Sequence, residues 1–210
     1  MLTDTETSPL NWNSDKPFHF PNMVRIRTIG DGSCFFHAIV KSFYVPYQTG
    51  LLNNKVFDRV SFVHRLRRDL SEKLSQPVNL DQTSDFKTYY ETISRGQLPI
   101  LAKEYPRYSE ENMKKELIES SPVDNLYNEF ISNVLQKDIY LLDFLKADVY
   151  MVGKDADILY KGRPSIVILT MPGHYELIGL QTNNGIQTMF DPNSDFITSI
   201  RNRISVLGGG

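Results

Sequence analysis

One cysteine occurs in the 210-residue chain. It is Cys34, set in Gly30-Asp31-Gly32-Ser33-Cys34-Phe35-Phe36-His37-Ala38. A thiol becomes a nucleophile when its thiolate is stabilised and when hydrogen-bond donors await the oxyanion its attack creates. Glycines on either side of Asp31 allow a loop with unusual dihedrals. Such a loop can turn backbone N–H groups, those of Gly32 and Ser33 among them, toward one point. From Cys34 onward, Phe35, Ala38, Ile39 and Phe43 recur at helical spacing. Cys34 is therefore predicted at a helix N-terminus, where the macrodipole favours a thiolate. The same segment equally suits a tight strand-to-helix turn around a small buried cysteine, and on its own it leaves both readings open. A lone cysteine excludes an internal disulfide and a cysteine-based zinc site.

A cysteine nucleophile needs a base. His37 lies three residues further along the predicted helix, so its side chain projects from the helix surface and a structural role is assigned to it. His19 falls in an irregular N-terminal stretch and His64 in an amphipathic repeat, and both are read as ordinary packing or surface residues. His174 differs. An apolar run, Ser165 to Thr170, ends at Met171-Pro172-Gly173, and His174 opens the next run, Tyr175 to Leu180. The edge between a loop and a strand can expose an imidazole to a cleft while holding its backbone. Glu176, two residues on, shares a strand face with His174 and is a candidate to fix its tautomer.

The elements that must hold these residues can be read from periodicity. Val24 to Ile29 alternates apolar and polar residues and predicts a strand or extended segment leading into the Cys34 loop. Residues 54–75 predict an amphipathic helix, as do 84–95, a segment from a Ser109 N-cap to about Glu119, and one starting near Pro122. Ile139 to Leu145 is read as a short helix leading into a strand at 149–152. Asn183-Asn184-Gly185 signals a hairpin with a return strand from Ile186 to Phe190, and Phe196, Ile197, Ile200 and Ile204 suggest a closing helix. Helices and strands are largely segregated, which predicts an α+β domain with a small central β-sheet flanked by helices. The expected organisation is an N-terminal arm over 1–22, a catalytic domain over 23–207, and flexible glycines at 208–210.

Composition narrows the function. A chain that is 40% hydrophobic and 23% charged, with net charge −2, is globular and carries no strongly basic patch for nucleic acid. The cluster Arg65, Arg67 and Arg68 is read as a solvated helix face. The polar start Met1-Leu2-Thr3-Asp4 is neither a signal nor a transit peptide, and no apolar run is long enough to span a bilayer. A cytoplasmic monomer without membrane contact is expected, with the nucleus or a host cytoplasm left open.

Taken together, Asp31-Gly32-Ser33-Cys34-Phe35-Phe36 with Ala38, and His174-Tyr175 at the start of a late strand, resemble the cysteine and histidine boxes of the ovarian-tumour (OTU) family of deubiquitinating cysteine proteases. The resemblance covers about residues 24–180. It implies an OTU-like fold in the papain-like superfamily, Cys34 as nucleophile, His174 as general base, and Asp31 as the acidic residue tied to the active site. Glu176 stands where the family more often has Asn or Asp, so the third catalytic member is either Glu176, Asp31 or a residue not yet placed. The resemblance further implies hydrolysis after the C-terminal glycine of ubiquitin, polyubiquitin or a ubiquitin-like modifier, with no metal or organic cofactor. Residues 84–118 and 153–164, with Tyr89, Tyr90, Tyr105 and Tyr108, are the candidates to hold ubiquitin's body. A catalytically silent ubiquitin-binding module, a peptidase of this fold that processes a polyprotein, and a plain structural domain are the competing readings.

Overall fold

The computed structural model describes residues 6–78, 88–119, 123, 125–150 and 156–208. Strands β1 (Thr7–Pro9) and β2 (Met23–Ile26) come first, then helices α1 (Cys34–Phe43) and α2 (Val45–Thr49) and a small hairpin, β3 (Leu51–Leu52) and β4 (Lys55–Val56). Helices α3 (Arg59–Leu74), α4 (Tyr89–Thr92), α5 (Leu98–Glu104), α6 (Glu110–Ile118) and α7 (Asn125–Leu135) follow. The chain then supplies β5 (Asp138–Asp143), β6 (Asp148–Val149), α8 (Ala156–Leu159), β7 (Ser165–Met171), β8 (His174–Thr182), β9 (Gly185–Gln187) and α9 (Asp195–Leu207).

Among the described residues one sheet runs β1-β2-β8-β7-β5-β6, with β9 also on β8. Only β5 and β7 are parallel; the other pairs are antiparallel. This is the α+β sheet flanked by helices that the sequence predicts. Both faces are covered. Ile139, Leu141, Ile166, Ile168 and Leu177 face a core shared with Phe36, Ile39, Leu70 and Phe130. Their neighbours Tyr140, Leu142, Val167, Leu169 and Ile178 face a second core with Phe196, Ile197 and Ile200. Period-two alternation sends successive apolar side chains to opposite faces, and each such burial contributes roughly 1.5–3 kcal/mol.

That double burial explains one correction. Residues 139–145 do not form a helix; Asp138–Asp143 is a central strand. A strand buried on both faces reads as an unbroken apolar run, which periodicity cannot tell from a helix. A second correction concerns residues 54–75. The helix starts at Arg59, behind an Asp58 N-cap whose side chain accepts the Ser61 N–H at 3.0 Å. Asn53 and Asn54 both adopt positive φ (51° and 61°), the signature of a tight hairpin turn, and Val56 points into solvent. In 84–95 only Tyr89–Thr92 is α-helical; Ser94 and Arg95 are left-handed, and 84–87 lie outside the described residues, as do 151–152. The other expected helices match α1, α6, α7 and α9. The segment before β2 is not wholly irregular: Thr7–Pro9 pairs with the sheet edge, and Leu10, Trp12 and Phe18 are buried in the second core. Among the described residues no helix is long and apolar enough to cross a membrane.

Candidate active site

The loop between β2 and α1 and the start of β8 meet at the same place. The ladder between β2 and β8 ends at Ile26 and Leu177, and beyond it a gap opens beside Tyr175 and His174. The chain after β2 turns across this gap. Ser33 takes the N-cap position of α1 and Cys34 is its first helical residue. Gly32 has φ +84°, a conformation that glycine adopts without steric cost.

Cys34 is 5% exposed. Its thiol lies within hydrogen-bonding reach of the backbone of Tyr175, of Phe35 and of Cys34 itself, which favours the thiolate. Burial opposes them, Asp31 adds a smaller like-charge effect, and the thiol's pKa is pushed above its ordinary value. The sequence expectation of a helix-stabilised thiolate is therefore corrected. Withdrawal from water outweighs the helix end.

His174 is half-buried at the sheet's end. Pro172-Gly173 makes the turn from β7, with Gly173 at φ +70° and open space around it. The ring lies over the cysteine loop: a Cβ on Gly30 would stand 3.9 Å from His174 Cε1. Thr28 Oγ1 is 3.4 Å from His174 Nε2. Cys34 thus lies against the backbone of Tyr175, the residue that follows His174 on β8.

The two candidate carboxylates are engaged elsewhere. Glu176 is buried and accepts a hydrogen bond from Arg25 Nε at 2.7 Å; no bond from it to His174 occurs among the described residues. Asp31 accepts the Ser33 N–H at 2.9 Å and faces His37 Nε2 at 3.0 Å. His37 is fully buried, and its Nδ1 lies 2.6 Å from the Tyr47 hydroxyl. Burial holds the His37 pKa below its ordinary value despite Asp31, and holds that of Tyr47 above its own. Both rings are then neutral, so Tyr47 O–H donates to His37 Nδ1 and His37 Nε2–H donates to Asp31. Of the two donors expected in the oxyanion loop, Ser33 N–H is thereby committed to Asp31. Gly32, at positive φ, shapes the turn.

Sequence reasoning missed Arg67. It is not on a solvated face but 1% exposed. Its guanidinium donates to the carbonyls of Leu117 (2.7 Å), Glu116 (2.7 Å) and Glu119, and to Ser33 Oγ (2.8 Å). It also lies 4.6 Å over the Phe36 ring. The last carbonyls of a helix lack partners within it, so a buried cation that satisfies those of α6 also pins the cysteine loop. Tyr90 is likewise a core residue, its hydroxyl donating to Tyr108 O; Tyr89 and Tyr108 are partly buried against the same core, and Tyr105 is exposed.

No family model and no curated protein matches the sequence. Solved structures do. An ovarian-tumour (OTU) domain, solved in complex with ubiquitin, aligns over 100% of this chain and 95% of its own at 16% identity, with a TM-score of 0.51. The chain has the OTU fold. Other OTU-fold structures align less closely. A Wolbachia pipientis OTU deubiquitinase has 13% identity, 88% and 98% coverage and a TM-score of 0.41. A viral OTU domain protease of Dera Ghazi Khan virus has 12%, 84% and 86%, and 0.41. Within the OTU fold of this chain, Cys34 at the start of α1 lies against the Tyr175 backbone, and His174 opens the same strand, β8.

Proposed function

We propose that the protein is a cysteine-dependent deubiquitinase, cutting the isopeptide or peptide bond after the C-terminal glycine of ubiquitin or a ubiquitin-like protein. The observation that carries this reading is the Cys34 thiol, at a helix start and hydrogen-bonded by the Tyr175 backbone, one residue from His174. The OTU fold, shared with a domain solved on ubiquitin, supports the substrate class.

In this reading His174 takes the Cys34 proton as sulfur attacks the glycine carbonyl carbon. The C=O electrons move onto oxygen, where backbone N–H groups at the helix start stabilise the charge. Collapse breaks the C–N bond, and His174 returns the proton to the leaving lysine amine. Water then attacks the thioester, giving one proton to His174 and releasing ubiquitin's carboxylate, and the thiol is restored. No cofactor is required. Asp31 holds the loop through Ser33 and His37. Exposed Ile100 and Tyr105 on and after α5 offer apolar surface for ubiquitin's body.

The test is reaction with ubiquitin carrying a C-terminal electrophile, read by intact mass. One ubiquitin is expected to add covalently to the wild type and none to Cys34→Ala. No adduct, with Cys34 still open to a small alkylating reagent, would direct the search to another modifier or an ordinary peptide.

A further inference from the structure

The histidine needs something to hold its ring and its tautomer, and neither carboxylate does so here. Among the described residues, the hydrogen-bond partner of the His174 ring is Thr28, whose Oγ1 stands 3.4 Å from Nε2. The Thr28 hydroxyl has one hydrogen, and it donates to the Tyr175 carbonyl. A hydroxyl offers one hydrogen and two lone pairs. With the hydrogen on Tyr175, a lone pair faces His174. Nε2 must then carry the ring's hydrogen, and Nδ1 is the unprotonated nitrogen.

We propose that Thr28 is the positioning residue of His174, supplying with a neutral hydroxyl the constraint that a carboxylate or amide supplies in other triads. The assignment rests on the proposed roles of Cys34 and His174. Nδ1, free of hydrogen, is the atom that takes the Cys34 proton, and Nε2–H stays on Thr28 throughout. Both constraints refer to the backbone of one residue. The backbone of Tyr175 donates to the sulfur, and its carbonyl fixes the hydroxyl that fixes the imidazole. Thr28 reaches them because the ladder between β2 and β8 ends at Ile26 and Leu177. A hydroxyl brings orientation but no charge. Thr28 therefore sets tautomer and angle, and does not stabilise the imidazolium as a carboxylate does.

Three variants of the full chain decide this: wild type, Thr28→Val and Thr28→Ser, with a ubiquitin C-terminal fluorogenic amide as substrate. Valine matches threonine in shape and lacks the oxygen. It is expected to lower kcat by about 10- to 100-fold, with KM within about threefold of wild type and an unchanged Tm. Serine, which keeps the oxygen, is expected to restore kcat to within about threefold. A direct reading needs no variant: 15N NMR of the neutral His174 ring in the wild type should show hydrogen on Nε2. Wild-type kcat in Thr28→Val, or hydrogen on Nδ1 in the resting protein, would overturn the assignment. Equal losses in the valine and serine variants, tracking a lowered Tm, would reduce Thr28 to a packing role and overturn it too. A wild type inert toward ubiquitin would fail at the earlier step, overturning the proposed function itself.

Discussion

Two histidines flank Cys34 under opposite conditions. His37 is sealed inside, with both ring nitrogens bonded, in a chain that runs from Tyr47 through Asp31 to the Ser33 N–H. His174 sits half-open at the end of β8, with a single hydroxyl beside it. The first arrangement cannot move a proton without breaking a buried network, and such networks rigidify when fully satisfied. The second is bonded at Nε2 alone among the described residues. The loop side is held by a closed network, and the strand side is the one that exchanges a proton in the proposed mechanism.

Variants on the strand side should damage chemistry and those on the loop side should damage stability. The largest expected effect is in activity. His174→Ala should lower kcat by about 10³-fold or more, whereas Glu176→Ala should stay within about tenfold of wild type. Steady-state kinetics on a ubiquitin amide would check this, and equal losses would place Glu176 in the triad. On the loop side, Arg67→Met should cost about 2–4 kcal/mol in urea unfolding, because it strips donors from three helix-end carbonyls and from Ser33. A loss of activity with full stability would instead give Arg67 a chemical role.

The smallest expected effect concerns pH. Burial keeps His37 neutral with its pKa below 6.5. As pH falls below 6.5, the unfolded chain gains a proton that the folded one resists, so stability declines. Asp31, whose pKa is lowered, contributes in the same direction only further down, below 3.8. Thermal melts from about pH 7.5 to 5 should therefore fall more steeply for wild type than for His37→Gln, which keeps a donor toward Asp31 but does not titrate. Parallel curves would mean that His37 is not the group responsible.

The loop side was the more legible in the sequence. Two glycines, a cysteine and a helical period are local facts, and α1 begins where they say. The Pro-Gly turn likewise announced the edge on which His174 stands. What stayed hidden depends on partners distant in the chain. Arg67 sits among other arginines on an amphipathic helix, and nothing local marks the one that turns inward to α6. Thr28 looks like any alternating polar residue until β8 lies beside it. Glu176 was placed on the correct face by alternation, but its partner Arg25 comes from β2. Asp138 to Asp143 misled because a strand covered on both sides carries no period of its own.

The pairing of β2 with β8 also has a consequence for when the proposed activity can arise. Arg25 and Glu176 meet across 151 positions of sequence, and the gap that exposes the Tyr175 peptide exists only once those strands have joined. Contacts this distant form late, after a large loop has been closed. During synthesis the segment bearing Cys34 emerges long before β8, so the thiol lacks its proposed base until most of the chain has left the ribosome. The order of translation thus delays the proposed activity: an unfinished chain carries Cys34 without the strand that would supply its base.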